Sequence, residues 1–250
     1  MGNYLQLCIF LFCFLLLVNG AEFGAEPDDQ CEETRCKHHG PTIRFPFWLK
    51  DRQPDHCGYP GFELFCAENN YTMLELPRSV KLFVKQIDYT AQQVDVYDPD
   101  GCVQGLLPNL NLTASPFQFA YLYGPYNYTF FNCSSDNPYK GIVIPCLSSH
   151  GYQIVAVDSD TGAYAAPLSC PKMYDLISVP DSLIDGYAND FQLMWSKPMC
   201  GSCEAEGKKC GMKGNTSETQ CSPNKKQHTG VLVFNYLISS IYFTVDHLEL

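Results

Sequence analysis

Basic residues are scarce in this sequence, and their scarcity excludes several classes of function. The 250 residues include 16 lysines and arginines against 27 aspartates and glutamates, which gives a net charge of −11. Nucleic-acid binding and attachment to anionic lipid both require a basic surface that contacts phosphate groups. We therefore expect neither nucleic acid nor an anionic membrane surface among the partners.

Common catalytic motifs are also missing. The sequence contains no G-x-S-x-G nucleophile elbow, no glycine-rich phosphate loop and no H-E-x-x-H zinc motif. The adjacent histidines His38 and His39 have no cysteine or carboxylate at ligand spacing. Two carboxylates for glycoside hydrolysis could lie far apart in the chain, but nothing singles out a pair. We predict no catalytic residue, no metal and no cofactor.

The apolar runs are shorter than the ~20 residues that a helical membrane span needs. Residues 1–20 contain an apolar stretch followed by Val18 and Gly20, small residues that suit a signal-peptidase site, although no lysine or arginine precedes the stretch. We predict a signal peptide at 1–20, and a retained anchor helix is the alternative.

Residues 226–250 form an apolar tail, which we interpret as a truncated membrane segment, a strand or a glycolipid-anchor signal with a charged end.

Cysteine is abundant, and two of the fourteen cysteines lie within the predicted signal peptide. An even number remains, and the secretory route is oxidising, so six disulfides are expected. The twelve cysteines are Cys31, Cys36, Cys57, Cys66, Cys102, Cys133, Cys146, Cys170, Cys200, Cys203, Cys210 and Cys221.

Two local patterns bear on the cysteine pairing. Cys200 and Cys203 have the spacing of a zinc knuckle, but we prefer disulfides because the compartment is oxidising. Cys57 and Cys66 flank a segment with turn residues, which predicts a bond between them.

Asparagine glycosylation sites agree with secretion. The pattern Asn-x-Ser/Thr occurs five times downstream of the predicted signal peptide. The acceptors are Asn70, Asn111, Asn127, Asn132 and Asn215. We expect a glycosylated extracellular protein.

The hydrophobic pattern indicates strands rather than helices. In residues 80–87 and 93–97, apolar and polar residues alternate on both sides of a short polar connection, which predicts an antiparallel hairpin. No long stretch shows helical periodicity. We predict an all-β, disulfide-rich, loop-rich fold with two cysteine-rich lobes of short antiparallel strands, covering 31–102 and 103–225.

The stretch PTIRFPFWL at 41–49 is the most unusual one. Read as an edge strand, because its proline cannot donate to a ladder, it points Arg44 and Trp48 to the same side. A guanidinium can bind a carboxylate, and an indole can pack against a sugar ring, so the pair suits an acidic polysaccharide. The alternative is structural: Trp48 covers the core and Arg44 pairs with an acidic neighbour.

The charge around this stretch supports an anionic ligand. Residues 35–52 carry five cations and one carboxylate, a local charge of +4. An ordinary solvated face is the alternative for any such run. The predicted ligand-binding residues are Arg44, Trp48, Lys37, Lys50 and Arg52.

Three cysteine-framed motifs carry a resemblance to a known family. CKHHGPTIRFPFWL, CGYPGFELFC and LPRSVKLFVKQIDYTAQQVDVYDPDGC resemble the galacturonan-binding domain of plant wall-associated receptor kinases. The segment CGSCEAEGKKCG is similar to the C-terminal cysteine module of those kinases. Among relatives, FPFWL and QPDHCGYPGFELFC look most like the extracellular part of plant transmembrane RING-finger ubiquitin ligases, with leaf-rust-resistance kinases second.

The resemblance implies a pectin-binding ectodomain, 31–102 being the galacturonan-binding part and 103–225 the C-terminal cysteine-rich part. Full-length relatives continue into a membrane helix and a RING or kinase module, for which these residues contain no motif. We therefore expect a secreted or plasma-membrane-attached protein facing the cell wall, whose partner is acidic galacturonan. The alternatives are a truncated ectodomain of a receptor-like serine/threonine kinase and a secreted structural wall protein.

Overall fold

The computed structural model describes most of the chain between residues 29 and 223. The described ranges are 29–120, 125–134, 141–160, 169–185, 189–214, 216 and 218–223. The predicted signal peptide at 1–20, the tail at 226–250 and the glycosylation acceptor Asn215 lie outside them.

The chain divides into two compact units, residues 1–32 and 33–250. The described part of the first unit contains a 3-10 turn at Asp29–Cys31.

Strands dominate the second unit. The described strands are β1 (Trp48–Leu49), β2 (Glu63–Cys66), β3 (Thr72–Leu76), β4 (Val80–Asp88), β5 (Gln93–Tyr97), β6 (Phe117–Phe119), β7 (Tyr126–Ser134), β8 (Ile142–Val143), β9 (Tyr152–Asp158), β10 (Lys172–Val179), β11 (Asp190–Trp195), β12 (Lys209–Met212) and β13 (Thr219–Ser222). The described α-helices are the short α1 (Val103–Leu106) and α2 (Gly201–Ala205). No helix in the described ranges is long and apolar enough to cross a membrane. The predicted all-β class is confirmed.

The largest sheet has seven strands in the order β1-β2-β3-β4-β5-β11-β6. Its first pair, β1 and β2, is parallel, whereas its other neighbours are antiparallel. The predicted hairpin is confirmed as β4 and β5. Val80, Leu82 and Val84 are buried, whereas the alternate residues Lys81 and Lys85 are exposed.

This sheet combines strands from both predicted lobes. β11 pairs along its length with β5, and β6 pairs with β11. The two predicted segments, 31–102 and 103–225, therefore do not form separate sheets. The physical reason is that the inward face of β11 is apolar, with Phe191, Leu193 and Trp195 buried, and continuing the first sheet removes these side chains from water.

A four-stranded antiparallel sheet, in the order β10-β7-β9-β8, lies over the same core. Phe130 and Ile154 of this sheet belong to one hydrophobic cluster with Leu74, Leu82 and Val96 of the first. A two-stranded ribbon of β12 and β13 completes the described sheets. On the outward face of the seven-stranded sheet, Phe65, Phe83 and Tyr97 are partly exposed.

Disulfides hold the loops around these sheets. All twelve described cysteines are disulfide-bonded, and five pairs are Cys36–Cys66, Cys102–Cys146, Cys133–Cys170, Cys200–Cys210 and Cys203–Cys221. The preference for disulfides over zinc at Cys200 and Cys203 is confirmed, with each sulfur bonded to a different partner.

The predicted Cys57–Cys66 bond is wrong. Cys66 ends β2, where its sulfur is bonded to that of Cys36, 30 residues earlier. Cys36 Sγ also lies 3.6 Å from the backbone carbonyl oxygen of Phe65, so the loop that carries Cys36 reaches the end of β2. Turn chemistry between two cysteines does not reveal this longer-range pairing.

Candidate functional site

The stretch PTIRFPFWL does not form a single strand. Ile43 makes an isolated bridge to Thr34, residues 45–46 lie in a turn with a cis Phe45–Pro46 bond, and only Trp48–Leu49 is a strand. That strand does occupy a sheet edge, as the proline predicted. The intervening turn breaks the alternation that placed Arg44 and Trp48 on one side.

Trp48 is buried, which contradicts its predicted exposure as a stacking platform. Only 7% of the residue is exposed. Its indole lies against Gly58, so closely that a Cβ built on this glycine would be 1.9 Å from Trp48 Cδ1. The structural alternative, in which Trp48 covers the core, is the one observed.

Arg44 is not a free carboxylate clamp either. Its Nη1 and Nη2 donate to Oε1 and Oε2 of Glu204, at 2.5 and 2.6 Å. The side chain of Glu204 is 8% exposed and that of Arg44 is 20% exposed, so the pair is largely shielded from water. Arg44 pairs with an acidic neighbour of its own chain, as the structural alternative anticipated.

The aromatic ring of Tyr89 packs against the guanidinium of Arg44. The Arg44 Cζ lies 3.8 Å from the centroid of the Tyr89 ring. The Tyr89 hydroxyl donates to the carbonyl of Thr42 at 2.8 Å and accepts from the Arg44 amide at 3.1 Å. Burial raises the pKa of Tyr89 well above its ordinary value, so the phenol stays neutral and keeps its role as donor.

The pKa of Arg44 is also affected by this environment. Burial of the guanidinium lowers its pKa, but the hydrogen bond to Glu204 and the nearby negative charges outweigh burial and give a net rise. Arg44 is therefore a permanently charged part of the fold.

Three other predicted residues, Lys37, Lys50 and Arg52, do come together. The Cys36–Cys66 disulfide holds the loop of Lys37 against the end of β2, and the Lys50 amide donates to the Leu64 carbonyl at 3.0 Å. Arg52 Nη1 donates to the backbone carbonyl of Arg35 at 3.1 Å. Within the described residues, none of these three cations forms an ion pair with a carboxylate.

Two of these lysines lie over aromatic rings. Lys37 Nζ is 3.4 Å from the centroid of Tyr71, and Lys50 Nζ is 5.4 Å from that of Phe65. Cations over ring faces are attracted by the ring quadrupole. The contact holds each ammonium at the surface without neutralising its charge.

The aromatic rings continue across the outward face of the sheet. Tyr71 stacks on Phe83 with centroids 5.4 Å apart and planes 3° from parallel, and Phe83 contacts Tyr97 edge-on at 5.6 Å. Pairing of β2, β3, β4 and β5 aligns Phe65, Met73, Phe83 and Tyr97 in one row. Strands are about 4.8 Å apart, so this row extends over about 14 Å.

We call this region the basic–aromatic surface. It consists of Lys37, Lys50, Arg52, Phe65, Tyr71, Phe83 and Tyr97. Sequence reasoning identified its cations but missed its aromatic residues. Alternation in β4 and β5 does point Phe83 and Tyr97 away from the core, but their alignment depends on strand register, which the sequence leaves open.

A neighbouring groove of about 510 Å³ is lined by Arg35, His39, Arg44 and Lys85, among others. Two of its cations are already paired, Arg44 with Glu204 and Lys85 with Asp190 at 2.6 Å. The hydrogen bond from Lys85 lowers the pKa of Asp190. This groove therefore offers less free positive charge than the basic–aromatic surface.

The similar proteins found are plant proteins. RING-H2 finger proteins ATL21A and ATL22 of Arabidopsis thaliana are both 32% identical to this chain, over 94% and 93% of its length. The chain spans 65% and 63% of the length of these two relatives. The rust resistance kinase Lr10 of Triticum aestivum is 24% identical over 87% of this chain and 42% of its own. No solved structure matches.

A protein-family model covers the N-terminal part of the described fold. The family is described as wall-associated receptor kinase galacturonan-binding, and it matches residues 31–98. That range contains β1 to β5 and every residue of the basic–aromatic surface. The resemblance inferred from the cysteine-framed motifs is thus confirmed: residues 31–98 match the wall-associated receptor kinase galacturonan-binding family, and the chain is similar to RING-H2 finger proteins over most of its length.

Proposed function

We propose that this chain is an extracellular module that binds acidic cell-wall polysaccharide, galacturonan, through the basic–aromatic surface. The observation that carries the proposal is the combination of three cations without carboxylate partners among the described residues and a row of partly exposed aromatic rings. All of these residues lie within the range that matches the galacturonan-binding family.

The chemistry of the ligand fits this combination. A uronic acid residue carries one carboxylate and an apolar ring face formed by its C–H groups. The ammonium groups of Lys37 and Lys50 and the guanidinium of Arg52 can donate to carboxylates, while Tyr71 and Phe83 offer flat apolar area. The row of rings is long enough to contact more than one sugar residue.

Electrostatics determine the expected salt dependence. The whole chain is strongly acidic, with a net charge of −11, so a polyanion is attracted only close to the local cations. Exposed charges further apart than a Debye length, about 8 Å at physiological ionic strength, are largely screened. Binding should therefore weaken as salt is added.

The deciding experiment is calorimetry with de-esterified oligogalacturonide on a matched pair of triple variants. Lys37→Ala, Lys50→Ala and Arg52→Ala remove three charges from the surface. Lys197→Ala, Lys208→Ala and Lys213→Ala remove three charges elsewhere. Each exposed charged contact contributes about 0.2 to 1 kcal/mol and 1.4 kcal/mol is tenfold. The first variant should therefore bind roughly threefold to a hundredfold more weakly, whereas the second should match wild type.

Two results would count against the proposal. Equal weakening in both triple variants would mean that net charge alone governs the attraction. Unchanged affinity in the first variant, with its fold verified by circular dichroism, would mean that the ligand binds elsewhere.

We also propose that these residues act as the ligand-binding ectodomain of a longer membrane protein. Two relatives that match most of this chain are named RING-H2 finger proteins, and another is named a rust resistance kinase. Sequencing of the transcript beyond the codon for Leu250 tests this: an open frame into a membrane helix and a RING or kinase module supports it. A stop codon directly after Leu250, in transcripts from several tissues, would instead favour a secreted wall protein.

A further inference from the structure

A second surface, lined mostly by residues beyond the family match at 31–98, includes an exposed apolar side chain. A groove of about 620 Å³ lies between the loop at 110–113 and strand β10. Ile177 lines it and is 74% exposed, more than any other large apolar residue among those described. Phe119 and Leu110 also line it, both partly buried. Apolar patches rimmed by polar residues commonly mark the place where a ligand or partner binds.

Charge argues against the acidic polysaccharide as the occupant. The groove is lined by one cation, Arg78, and one carboxylate, Asp175. Asp175 pairs with Lys172 at 2.7 Å, so among the described lining residues a single cation, Arg78, is left to attract a polyanion. A neutral molecule with apolar faces suits the lining better.

The rim of the groove carries a glycosylation acceptor. Asn111 and Thr113 of the Asn-Leu-Thr sequon both line the groove. Asn111 Oδ1 accepts from the Thr113 amide at 3.1 Å and from the Thr113 hydroxyl at 2.6 Å. Among the described residues its Nδ2 has no hydrogen-bond partner, which leaves free the atom to which a glycan is joined.

We propose that the N-glycan on Asn111 lies in this groove and covers Ile177 and Phe119. During secretion, Nδ2 forms a bond to the anomeric carbon of N-acetylglucosamine and loses one proton. The bond from that carbon to a lipid-linked pyrophosphate breaks, and the pyrophosphate is the leaving group, with no net oxidation. The C–H face of the sugar then packs on Phe119 and Ile177, as sugars do on apolar and aromatic side chains.

Covalent attachment explains why the glycan is the occupant rather than a second protein copy. A group tethered at the rim has a high effective concentration at the groove, so even weak packing keeps it in place. A second copy would have to bind without that advantage.

The test is hydroxyl-radical footprinting of protein secreted from a eukaryotic host. Thr113→Ala removes the sequon but keeps Asn111, whereas Thr113→Ser keeps both the sequon and the hydroxyl. Asn70→Asp removes a glycan elsewhere and is the control for glycan loss in general. Met199, 73% exposed and remote in sequence, serves as the internal reference.

We expect oxidation of Ile177 to rise at least threefold in Thr113→Ala relative to wild type, Thr113→Ser and Asn70→Asp, with Met199 unchanged. Mass spectrometry that finds Asn111 unglycosylated in the wild-type protein would overturn the proposal. So would equal oxidation of Ile177 in all variants. Protection of Ile177 that persists in Thr113→Ala and grows with protein concentration would also overturn it, because a second copy would then be the occupant.

Discussion

The guanidinium of Arg44 binds the carboxylate of Glu204 in a bidentate ion pair that joins positions 160 residues apart. Glu33 lies at 3.8 Å from Arg44 Nε and at 3.0 Å from Lys209 Nζ. Together these contacts fasten helix α2 and strand β12 to the chain that precedes β1. Helix α2 and the β12–β13 ribbon are therefore held to the chain before β1 by charge, and their cysteines also pack on Phe45.

Removal of either member of the Arg44–Glu204 pair should destabilise the fold. Loss of one partner leaves a shielded charge unpaired. Because the pair is only partly buried, we expect the free energy of unfolding to fall by about 2 to 3 kcal/mol, between the values for surface and fully buried pairs. Denaturant unfolding of Glu204→Ala with disulfides intact measures it. Glu206→Ala, whose carboxylate pairs with Lys208 in solvent, is the control and should unfold like wild type.

A double-mutant cycle separates the pair from its surroundings. If Arg44→Ala and Glu204→Ala act through one interaction, the double variant should be no less stable than either single variant. Additive losses would show that the two side chains stabilise the fold independently, contrary to the geometry.

Tyr89 should make the folded state less stable at alkaline pH. Its folded pKa is raised above the ordinary 10.0, chiefly by burial, so the folded state prefers the neutral phenol. The stability it contributes is present below pH 10 and is lost as the pH rises above it. The free energy of unfolding, measured from pH 8 to 11, should fall less in Tyr89→Phe than in wild type. The variant is about 1 kcal/mol less stable at pH 8, because its hydroxyl hydrogen bonds are gone.

If the free energy of unfolding falls equally at high pH in wild type and Tyr89→Phe, groups other than Tyr89 cause the fall. Spectrophotometric titration of tyrosinate absorbance checks the assignment, since one tyrosine fewer should ionise together with unfolding in the variant.

Gly58 tests the burial of Trp48. A methyl group at this position would lie 1.9 Å from Trp48 Cδ1, so the indole must move. We expect Gly58→Ala to cost about 1 to 3 kcal/mol or more, the usual range for overpacking, with a changed tryptophan emission spectrum. Gly211→Ala is the matched control, because no atom lies within 4 Å of its added Cβ; equal stability of the two variants would contradict the packing.

The sequence predicted those parts of the fold that depend on local pattern. The β4–β5 hairpin follows from alternation over several residues, because a slip of one residue in register would expose buried side chains such as Leu82 and Val96. The even cysteine count predicted complete oxidation, because counting cysteines does not require knowing which of them pair. Joining β11 to β5 could not be predicted, since it is a contact between segments about 95 residues apart.

The candidate site was predicted in part for similar reasons. Lys37, Lys50 and Arg52 were found because charge is visible in a sequence. Arg44 was assigned to the ligand because its partner, Glu204, is remote in the chain. Trp48 was placed on the wrong side because the turn at Phe45–Pro46 interrupts the strand, and a pattern of nine residues does not reveal such a break.

Tyr71 allows stacking to be separated from charge at the proposed ligand surface. Tyr71 lies under Lys37 and against Phe83, so Tyr71→Ala removes flat apolar area while leaving every charge in place, and the Asn70 sequon is kept. Binding of oligogalacturonide should weaken several-fold with its salt dependence nearly unchanged. Lys37→Ala should instead reduce the salt dependence, because one fewer charge contacts the polyanion.

The control is Tyr152→Ala, which removes a comparably exposed tyrosine on the other sheet and should bind like wild type. If Tyr71→Ala binds as tightly as Tyr152→Ala, the rings do not contact the sugar, and the lysines and Arg52 alone attract the ligand.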